Sequence, residues 1–408
     1  MNKLKVAVLL LCAALCVSCE NPFLKGLLPQ DIERNIIGQS PTLPDPEAPF
    51  VEGAASIIAA AATPKTSFRI SVVTVDNSAV AVEGEDGIVT TLASGTYTTL
   101  IVATGATVIL RGNIKSIDYS IHNASSSIDV RGLSNLQYLD CHNSSGLTSI
   151  KVQGCASLQG LYCKGNRLTS LDVQGCSSLK YLFCNSNQLT SLNVQGCSSL
   201  KYLDCAENRL TSLNVQGCSS LGSLLCYSNQ LTSLDVQGCS SLQGLQCANN
   251  QLTSLNAQGC SSLQNLNCRE SRLTSLNVQG CSSLKYLSCE RNRLTSLDVQ
   301  GLSALKSLDC YSNQLTALNV QGCSSLGSLN CWGNRLTAQA FTKLFTDLPV
   351  RSNTDNANCT LYTERTDITE GNHTDFTSPS DLQAAFNHAK NVKKWTMYKS
   401  GANGSVVL

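Results

Sequence analysis

The chain has 408 residues, and its 29 Lys and Arg residues against 28 Asp and Glu residues give a formal net charge of +1. A chain without a basic excess lacks the electrostatic footprint of nucleic-acid binding, so nucleic acid is not expected as a partner. Only 5% of the residues are aromatic, whereas 22 are cysteine, so aliphatic side chains and thiols must fill much of the core.

Residues 1–18 have the composition of an export signal. Lys3 and Lys5 precede an apolar run from Val6 to Leu15 that is too short to span a bilayer as a mature helix. The leader ends in Cys-Val-Ser-Cys, which resembles a lipobox, and this resemblance implies cleavage before Cys19 and acylation of that cysteine. We therefore expect an exported, lipid-anchored protein at the outer membrane or cell surface. An ordinary secretory signal is the alternative, because a lipobox usually has leucine where this chain has Cys16.

Two segments separate the leader from the rest of the chain. Residues 19–65 hold seven of the nine prolines, which predicts an extended tether, and the Ala54–Ala62 run within them is compatible with a short helix. Residues 66–113 contain runs such as FRISVVTV and TVILRG between turn residues, which predict short strands. We interpret this segment as a β-rich amino-terminal cap; a small separate sandwich is the alternative.

Residues 114–337 carry an internal repeat of 21 residues. The unit reads L-x-x-L-x-C-x-x-N-x-L, as at Leu200, Leu203, Cys205, Asn208 and Leu210. An unbroken period of this length predicts a stacked solenoid whose neighbouring turns supply the core. Inward and outward residues alternate around Leu203, which predicts one strand per turn in a parallel sheet. The other half, LTSLNVQGCSS, is too short for a regular helix and predicts extended or 3₁₀ backbone.

Cysteine and asparagine recur in columns of this repeat. Ten cysteines from Cys141 to Cys331 fall in the strand, and eight from Cys155 to Cys323 fall in the other half, where Leu302 replaces one. Because leucine substitutes there, we expect apolar slots filled by reduced thiols; disulfides between turns are the alternative. The asparagine that follows each strand is expected to pair with buried backbone groups, because such groups are costly to leave unsatisfied.

The repeat resembles the leucine-rich repeat in the short bacterial form of internalin-like surface proteins. The sequence LTSLDVQGC together with the L-x-x-L-x-C motif is also similar to repeats of surface lipoproteins from spirochaetes and Bacteroidetes. The resemblance implies an α/β repeat solenoid, a coil of 21-residue turns with a parallel concave sheet that binds protein partners. It names no particular ligand.

The outward strand positions are the candidate contact residues. All nine aromatic residues between Leu136 and Arg335 fall on these positions, whereas the rest of the unit hardly varies. Exposed aromatic residues on a rigid sheet are common anchors of protein interfaces, although cross-strand stacking is the alternative explanation. The predicted ligand-binding residues are Tyr138, Tyr162, Tyr181, Phe183, Tyr202, Tyr227, Arg269, Tyr286, Tyr311 and Trp332.

Residues 338–408 leave the repeat. Apolar spacing predicts one helix over 339–348 and a second over 381–392, with Ser380 as its N-cap, flanked by the strand sequences NCTLYT and KWTMYK. This arrangement resembles the α+β carboxy-terminal cap of such arrays, which covers the open end of the last turn.

Catalytic motifs are missing from the sequence. The four histidines have no cysteine or serine partner in a known motif. There is no phosphate loop or H-E-x-x-H, and no C-x-x-C occurs outside the leader. We therefore expect no enzyme activity, cofactor or metal. The interpretation is a monomeric surface protein that binds host or bacterial surface proteins; a structural or periplasmic scaffold without a dedicated ligand is the alternative.

Overall fold

The computed structural model describes residues 54–59, 65–83, 89–103, 107–119, 125–131, 133–144, 146–402 and 404–408. The predicted leader, Cys19 and the tether up to residue 53 lie outside the described residues. Eight strands precede the regular repeats. They are β1 (Ala54–Ala59), β2 (Lys65–Thr74), β3 (Val80–Glu83), β4 (Val89–Leu92), β5 (Tyr97–Ala103), β6 (Thr107–Arg111), β7 (Ile114–Asp118) and β8 (Ser125–Asp129).

Each regular repeat contributes a three-residue strand, and some contribute a second one. The strands are β9 (Tyr138–Asp140), β10 (Ser149–Lys151), β11 (Gly160–Tyr162), β12 (Ser170–Asp172), β13 (Tyr181–Phe183), β14 (Ser191–Asn193), β15 (Tyr202–Asp204), β16 (Ser223–Leu225), β17 (Gly244–Gln246), β18 (Ser254–Asn256), β19 (Asn265–Asn267), β20 (Ser275–Asn277), β21 (Tyr286–Ser288), β22 (Ser307–Asp309) and β23 (Ser328–Asn330).

The carboxy-terminal part is α+β, as the sequence predicts. Its elements are α1 (Ala338–Asp347), β24 (Asn358–Thr363), α2 (Ser380–Asn391), β25 (Thr396–Gly401) and β26 (Gly404–Val407). The hydroxyl of Thr337 caps α1 by accepting a hydrogen bond from the Ala340 amide at 3.2 Å. The Ser380 prediction was wrong by one residue, because Ser380 lies inside α2 and Pro379 occupies the cap position without a side-chain hydrogen bond.

One long sheet runs along the coil. Sixteen described strands form it in the order β26-β25-β24-β23-β22-β21-β19-β17-β16-β15-β13-β11-β9-β7-β2-β5. The pairs from β7 to β24 are all parallel and in register, so that Ile117, Leu139, Leu161 and Leu182 follow one another in one buried row. β25 continues the sheet in parallel, with a register shift between Thr360 and Tyr362. The predicted leucine-rich repeat solenoid with a parallel sheet is therefore confirmed.

The opposite side of the coil is extended, which agrees with one of the two predicted conformations. β12 pairs with β14 and β18 with β20, and single bridges such as Asn214 to Asp235 continue the pattern. A glycine with positive φ follows in each turn, for example Gly217 at 82°, where a side chain would be strained. This side contains no helix in the described repeats.

The amino-terminal strands continue both sides of the coil. β2 and β5 extend the long sheet beyond β7, and a second sheet has the order β10-β8-β1-β6-β3-β4. Because these strands pair with the first turns, the segment is a cap rather than a separate sandwich. β1 corrects the boundary at residue 65: residues 54–59 form a strand paired with β6 and β8, and they belong to the cap rather than to a tether or a helix.

The asparagines form a ladder inside the edge of the coil. The Asn208 amide nitrogen donates to the Cys184 and Cys205 carbonyls at 3.0 and 3.1 Å, while its side-chain oxygen accepts from the Leu189 amide at 2.9 Å. Later turns repeat this pattern, and Asn166 repeats only its donor half, because its side-chain oxygen has no partner. Each asparagine thus joins its own turn to the preceding one. Ser271 interrupts the ladder, and its buried hydroxyl has no partner.

The ladder ends inside the carboxy-terminal cap. The Asn372 side chain accepts from the Leu336 amide at 2.8 Å and donates to the Cys331 carbonyl at 2.9 Å, so it takes the place of one more repeat asparagine. The Glu370 carboxylate accepts from the backbone amides of Gly333 at 3.0 Å and Thr363 at 2.6 Å. These two side chains satisfy backbone groups that a further turn would otherwise cover.

The cysteines are core residues. All nineteen from Cys141 to Cys359 are free and buried, in agreement with the predicted reduced thiols. Burial raises the pKa of Cys247 in the strand column to about 12 and that of Cys155 in the other column to about 11. Both thiols are therefore protonated at neutral pH and are poor nucleophiles and metal ligands. Leu302 occupies its position as a buried apolar residue, which explains why leucine can replace cysteine there.

Candidate binding surface on the concave sheet

Three columns of side chains cover the outward face of the long sheet. The first column holds the first residue of each repeat strand and the second column holds the third residue, in register from Tyr138 and Asp140 onward. The third column holds the residue after each strand cysteine, from His142 to Trp332. Backbone hydrogen bonds such as Asn143 N–H to Lys164 O, at 2.8 Å, keep the third column in register.

The structure places all ten predicted contact residues in these columns, although not with equal exposure. The half-buried residues are Tyr138, Tyr162, Tyr181, Tyr227, Tyr286 and Tyr311, and Arg269 is exposed. Phe183, Tyr202 and Trp332 are only 6–8% exposed. The expectation that every aromatic residue here is exposed was therefore wrong for these three.

An amino-terminal aromatic cluster consists of Tyr138, Tyr162, Tyr181, Phe183 and Tyr202. The Phe183 ring stacks between two others, with centroid distances of 5.3 Å to Tyr162 and 4.8 Å to Tyr202. Stacking of this kind stabilises adjacent strands, so part of the aromatic pattern serves the sheet itself. The half-buried tyrosines at the borders of the cluster retain surface for a partner.

A glycine that the sequence reasoning overlooked shapes this cluster. A Cβ atom on Gly160 would lie 2.8 Å from the Tyr162 ring and 3.0 Å from the Tyr138 ring, both closer than normal contact. Glycine at this first-column position therefore lets the two rings approach the backbone between them. The available signal was a glycine flanked by tyrosines of the first column, at Tyr138 and Tyr181.

A carboxy-terminal group combines aromatic and charged residues in the third column. The Tyr311 and Trp332 rings stack at 4.3 Å with an interplanar angle of 13°. An Arg269 guanidinium nitrogen lies 3.9 Å from one oxygen of the buried Glu290 carboxylate, whose other oxygen has no partner. Burial is the largest cause that raises the pKa of Glu290 to about 7, so this carboxyl group is partly protonated at neutral pH.

Small and polar residues lie between the two aromatic groups. The first column has Ser223, Gly244 and Asn265 here, and the second has Gln246. The Ser223 hydroxyl and the Gln246 amide nitrogen are buried without a hydrogen-bond partner. Asp204 borders this stretch, and burial raises the pKa of its carboxyl group to about 7. Apart from Leu225 and Tyr227, the centre of the sheet thus offers hydrogen-bonding groups rather than ring faces.

The remaining candidates for chemistry are the histidines and possible metal ligands of the described residues. The His142 imidazole lies in the third column, with Nδ1 2.6 Å from an Asp140 carboxylate oxygen. Within the part of the chain that the structure describes, no group of three or more His, Cys, Asp or Glu residues could hold a metal ion. No helix in that part is long and apolar enough to cross a membrane.

The 21-residue turns, the parallel sheet and the asparagine ladder define a leucine-rich repeat fold. No protein-family model and no curated protein matches the chain. Among solved structures, the functional domain of InlJ from Listeria monocytogenes, which includes a cysteine ladder, is 34% identical with a TM-score of 0.50. The match covers 58% of this chain and 52% of that domain, so this chain spans about half of its length.

Two further solved structures are similar to this chain at lower TM-scores. YopM from Yersinia enterocolitica is 26% identical over 50% of this chain and 44% of its own, with a TM-score of 0.44. An internalin, inlF, from Listeria monocytogenes is 19% identical over 54% of this chain and 82% of its own, with a TM-score of 0.39. These three solved structures are bacterial proteins of the internalin and YopM type.

Proposed function

We propose that this protein is an exported, lipid-anchored and non-catalytic binding protein that attaches to proteins on host or bacterial surfaces through its concave sheet. The observation that carries the proposal is the placement of all nine repeat aromatic residues in the three concave columns. Six of them are half-buried tyrosines. Part of each ring packs against the sheet, while the exposed part and the hydroxyl can contact a partner. The registered backbone holds these side chains in place, which lowers the entropic cost of binding.

Tyrosines of the first column allow a direct test of the concave surface. That column also carries serine at 223, 307 and 328, so the triple variant Tyr138→Ser, Tyr181→Ser and Tyr286→Ser keeps residues that the fold already accepts. We expect loss of capture of a surface protein from host-cell or bacterial extracts by the immobilised chain, with almost unchanged thermal unfolding. Tyrosine anchors at an interface each contribute about 2 kcal/mol.

The matched control replaces three exposed glutamines of the opposite side, Gln195, Gln237 and Gln321, by serine. These side chains are exposed, and we expect the control to capture the same partner as the unchanged chain. Equal capture by the tyrosine variant, or no partner for any variant, would instead favour the structural or periplasmic scaffold and leave the aromatic residues as sheet packing.

The proposed anchor has its own test at Cys19. The Cys-Val-Ser-Cys sequence at the end of the leader supports acylation there. We expect metabolic labelling with a radioactive fatty acid to mark the chain and the Cys19→Ser variant to lose the label and the membrane association. An unlabelled protein released as a shortened soluble chain would identify an ordinary secretory signal.

A further inference from the structure

A column of arginines runs along the edge of the coil, outside the three concave columns. The residue after the ladder position is arginine in five turns and glutamine in four, and it is never acidic. The arginines are Arg167, Arg209, Arg272, Arg293 and Arg335, and all five are exposed. We call this set the arginine column.

The backbone fixes the arginine column in register. Each of these residues donates its amide to the leucine carbonyl of the preceding turn, for example Arg209 N–H to Leu189 O at 2.9 Å and Arg293 N–H to Leu273 O at 2.8 Å. Neighbouring positions are therefore one turn apart, about 4.8 Å. The arginine positions therefore follow one edge of the coil, and consecutive arginines are one to three turns apart.

The five guanidinium groups differ from every other arginine in the described chain. The other seven have an ion pair, backbone carbonyl acceptors or an aromatic ring as partner: Arg69, Arg111, Arg131, Arg269, Arg291, Arg351 and Arg365. The structure shows no such partner for any side chain of the arginine column. Structural stabilisation accounts for the seven but not for the column.

Among the described residues, no carboxylate forms an ion pair with the column. Glu207 accepts a hydrogen bond from the Ser186 hydroxyl at 2.7 Å, and Glu270 pairs with Arg291 at 3.1 Å. Repeat aspartates such as Asp235 and Asp298 accept hydrogen bonds from glutamine side chains on the opposite side of the coil. The part of the chain that the structure describes thus has one row of arginines without ion pairs.

We infer that the arginine column is a second binding site, for a linear acidic polysaccharide that carries carboxylate or sulfate groups. A planar guanidinium forms two parallel hydrogen bonds with such oxyanions, and the interspersed glutamines can donate to and accept from sugar hydroxyls. A row of charges that follows successive turns of the coil suits a linear polymer. Single-stranded nucleic acid fits less well, because no aromatic residue stands in the column for bases to stack on.

Two variants of equal charge test this site. The first changes Arg167, Arg209, Arg272 and Arg293 to glutamine, which the column already carries in four turns. The second changes Lys180, Lys201, Lys285 and Lys306 to glutamine, the residue of the equivalent positions 159, 243 and 264. Each removes four positive charges from the full chain, and neither touches the aromatic columns. Circular dichroism establishes that both variants fold.

The probes are heparin oligosaccharides, polygalacturonate and neutral dextran, measured by isothermal titration at about 0.1 M salt, where exposed charges still interact over about 10 Å. We expect binding of at least one acidic polymer, no binding of dextran, and an affinity loss of about tenfold or more in the arginine variant. The lysine variant should lose less than about threefold, because its charges lie outside the row.

Three results would overturn the inference. Equal losses in the two variants would indicate a general charge effect, and absence of binding to both acidic polymers would remove the site. Stronger binding to anionic lipid vesicles or to DNA than to either polysaccharide would assign the column to another class of partner. The capture experiment with the tyrosine variant tests the concave surface separately, so none of these three results would decide whether that surface binds a protein.

Discussion

Replacement of Asn208 by alanine is expected to lower the free energy of unfolding by about 3 kcal/mol. Asn208 is buried, and its side chain joins two turns through the Leu189 amide and the Cys184 and Cys205 carbonyls. The Cys184 and Cys205 carbonyls keep a second asparagine partner, Asn187 and Asn229. The Leu189 N–H group, however, would be left buried without an acceptor. Denaturant unfolding followed by circular dichroism measures the loss.

Two further substitutions make this measurement specific to the ladder. Asn214→Ala removes an exposed asparagine from the neighbouring part of the same turn, and we expect a change below about 0.5 kcal/mol. Ser271→Asn fills the interruption and offers an acceptor to the Leu252 amide and donors to the carbonyls of Cys247 and Cys268, so it should stabilise by about 1 kcal/mol. An Asn208→Ala variant as stable as Asn214→Ala would contradict the bonding described for the ladder.

The period of 21 residues made most of the fold predictable. Once Leu203 and Cys205 are assigned to the interior, stacking of identical turns places every equivalent residue, including Tyr119, which is fully buried where later turns carry cysteine. The same logic gave the concave columns and the buried thiols. Repetition removes the question of long-range pairing, because each turn contacts only its neighbours.

The sequence did not predict features beyond the ends of the repeat or features that depend on packing between side chains of different turns. β1 was overlooked because its small residues lie in a segment rich in proline, and its pairing with β6 spans about fifty residues. α1 intervenes between the last repeats and Asn372, so the ladder position no longer follows at 21 residues. The burial of Phe183 depends on two neighbouring rings, which the column pattern alone does not specify.

The raised pKa values on the binding surface could not be predicted from the sequence, because they too depend on packing between turns. Asp204 and Glu290 have the same place in the repeat as residues such as Phe183 and Tyr311, so nothing in the pattern marks them as buried. Their raised pKa values arise from the surroundings of the folded sheet. The arginine column is a second example. The sequence shows that arginine recurs at this position, but only the structure shows which described arginines have a partner and which have none.

Replacement of Phe376 by alanine is expected to cost about 3–5 kcal/mol, the largest effect predicted for this protein. Phe376 is buried at the centre of the carboxy-terminal cap, where it stacks on Phe386 at 5.1 Å and meets Phe341 edge-on at 5.1 Å. It holds α1 against α2, and no repeat or helical pattern marks it in the sequence. Because solenoid turns interact only with their neighbours, the damage should begin at this end of the coil.

Hydrogen exchange read by mass spectrometry resolves that location. We expect faster exchange in α1, β24 and α2 of the Phe376→Ala variant, while the turns before Leu273 retain their protection. Val350→Ala is the control, since Val350 lies in the same cap but is 68% exposed and should leave exchange unchanged. Uniformly faster exchange along the whole coil would mean that the cap and the repeats unfold as one cooperative unit. Retained protection in the cap would mean that Phe376 is dispensable for covering the end of the core, and that the Glu370 and Asn372 contacts to the last turn are sufficient to close it.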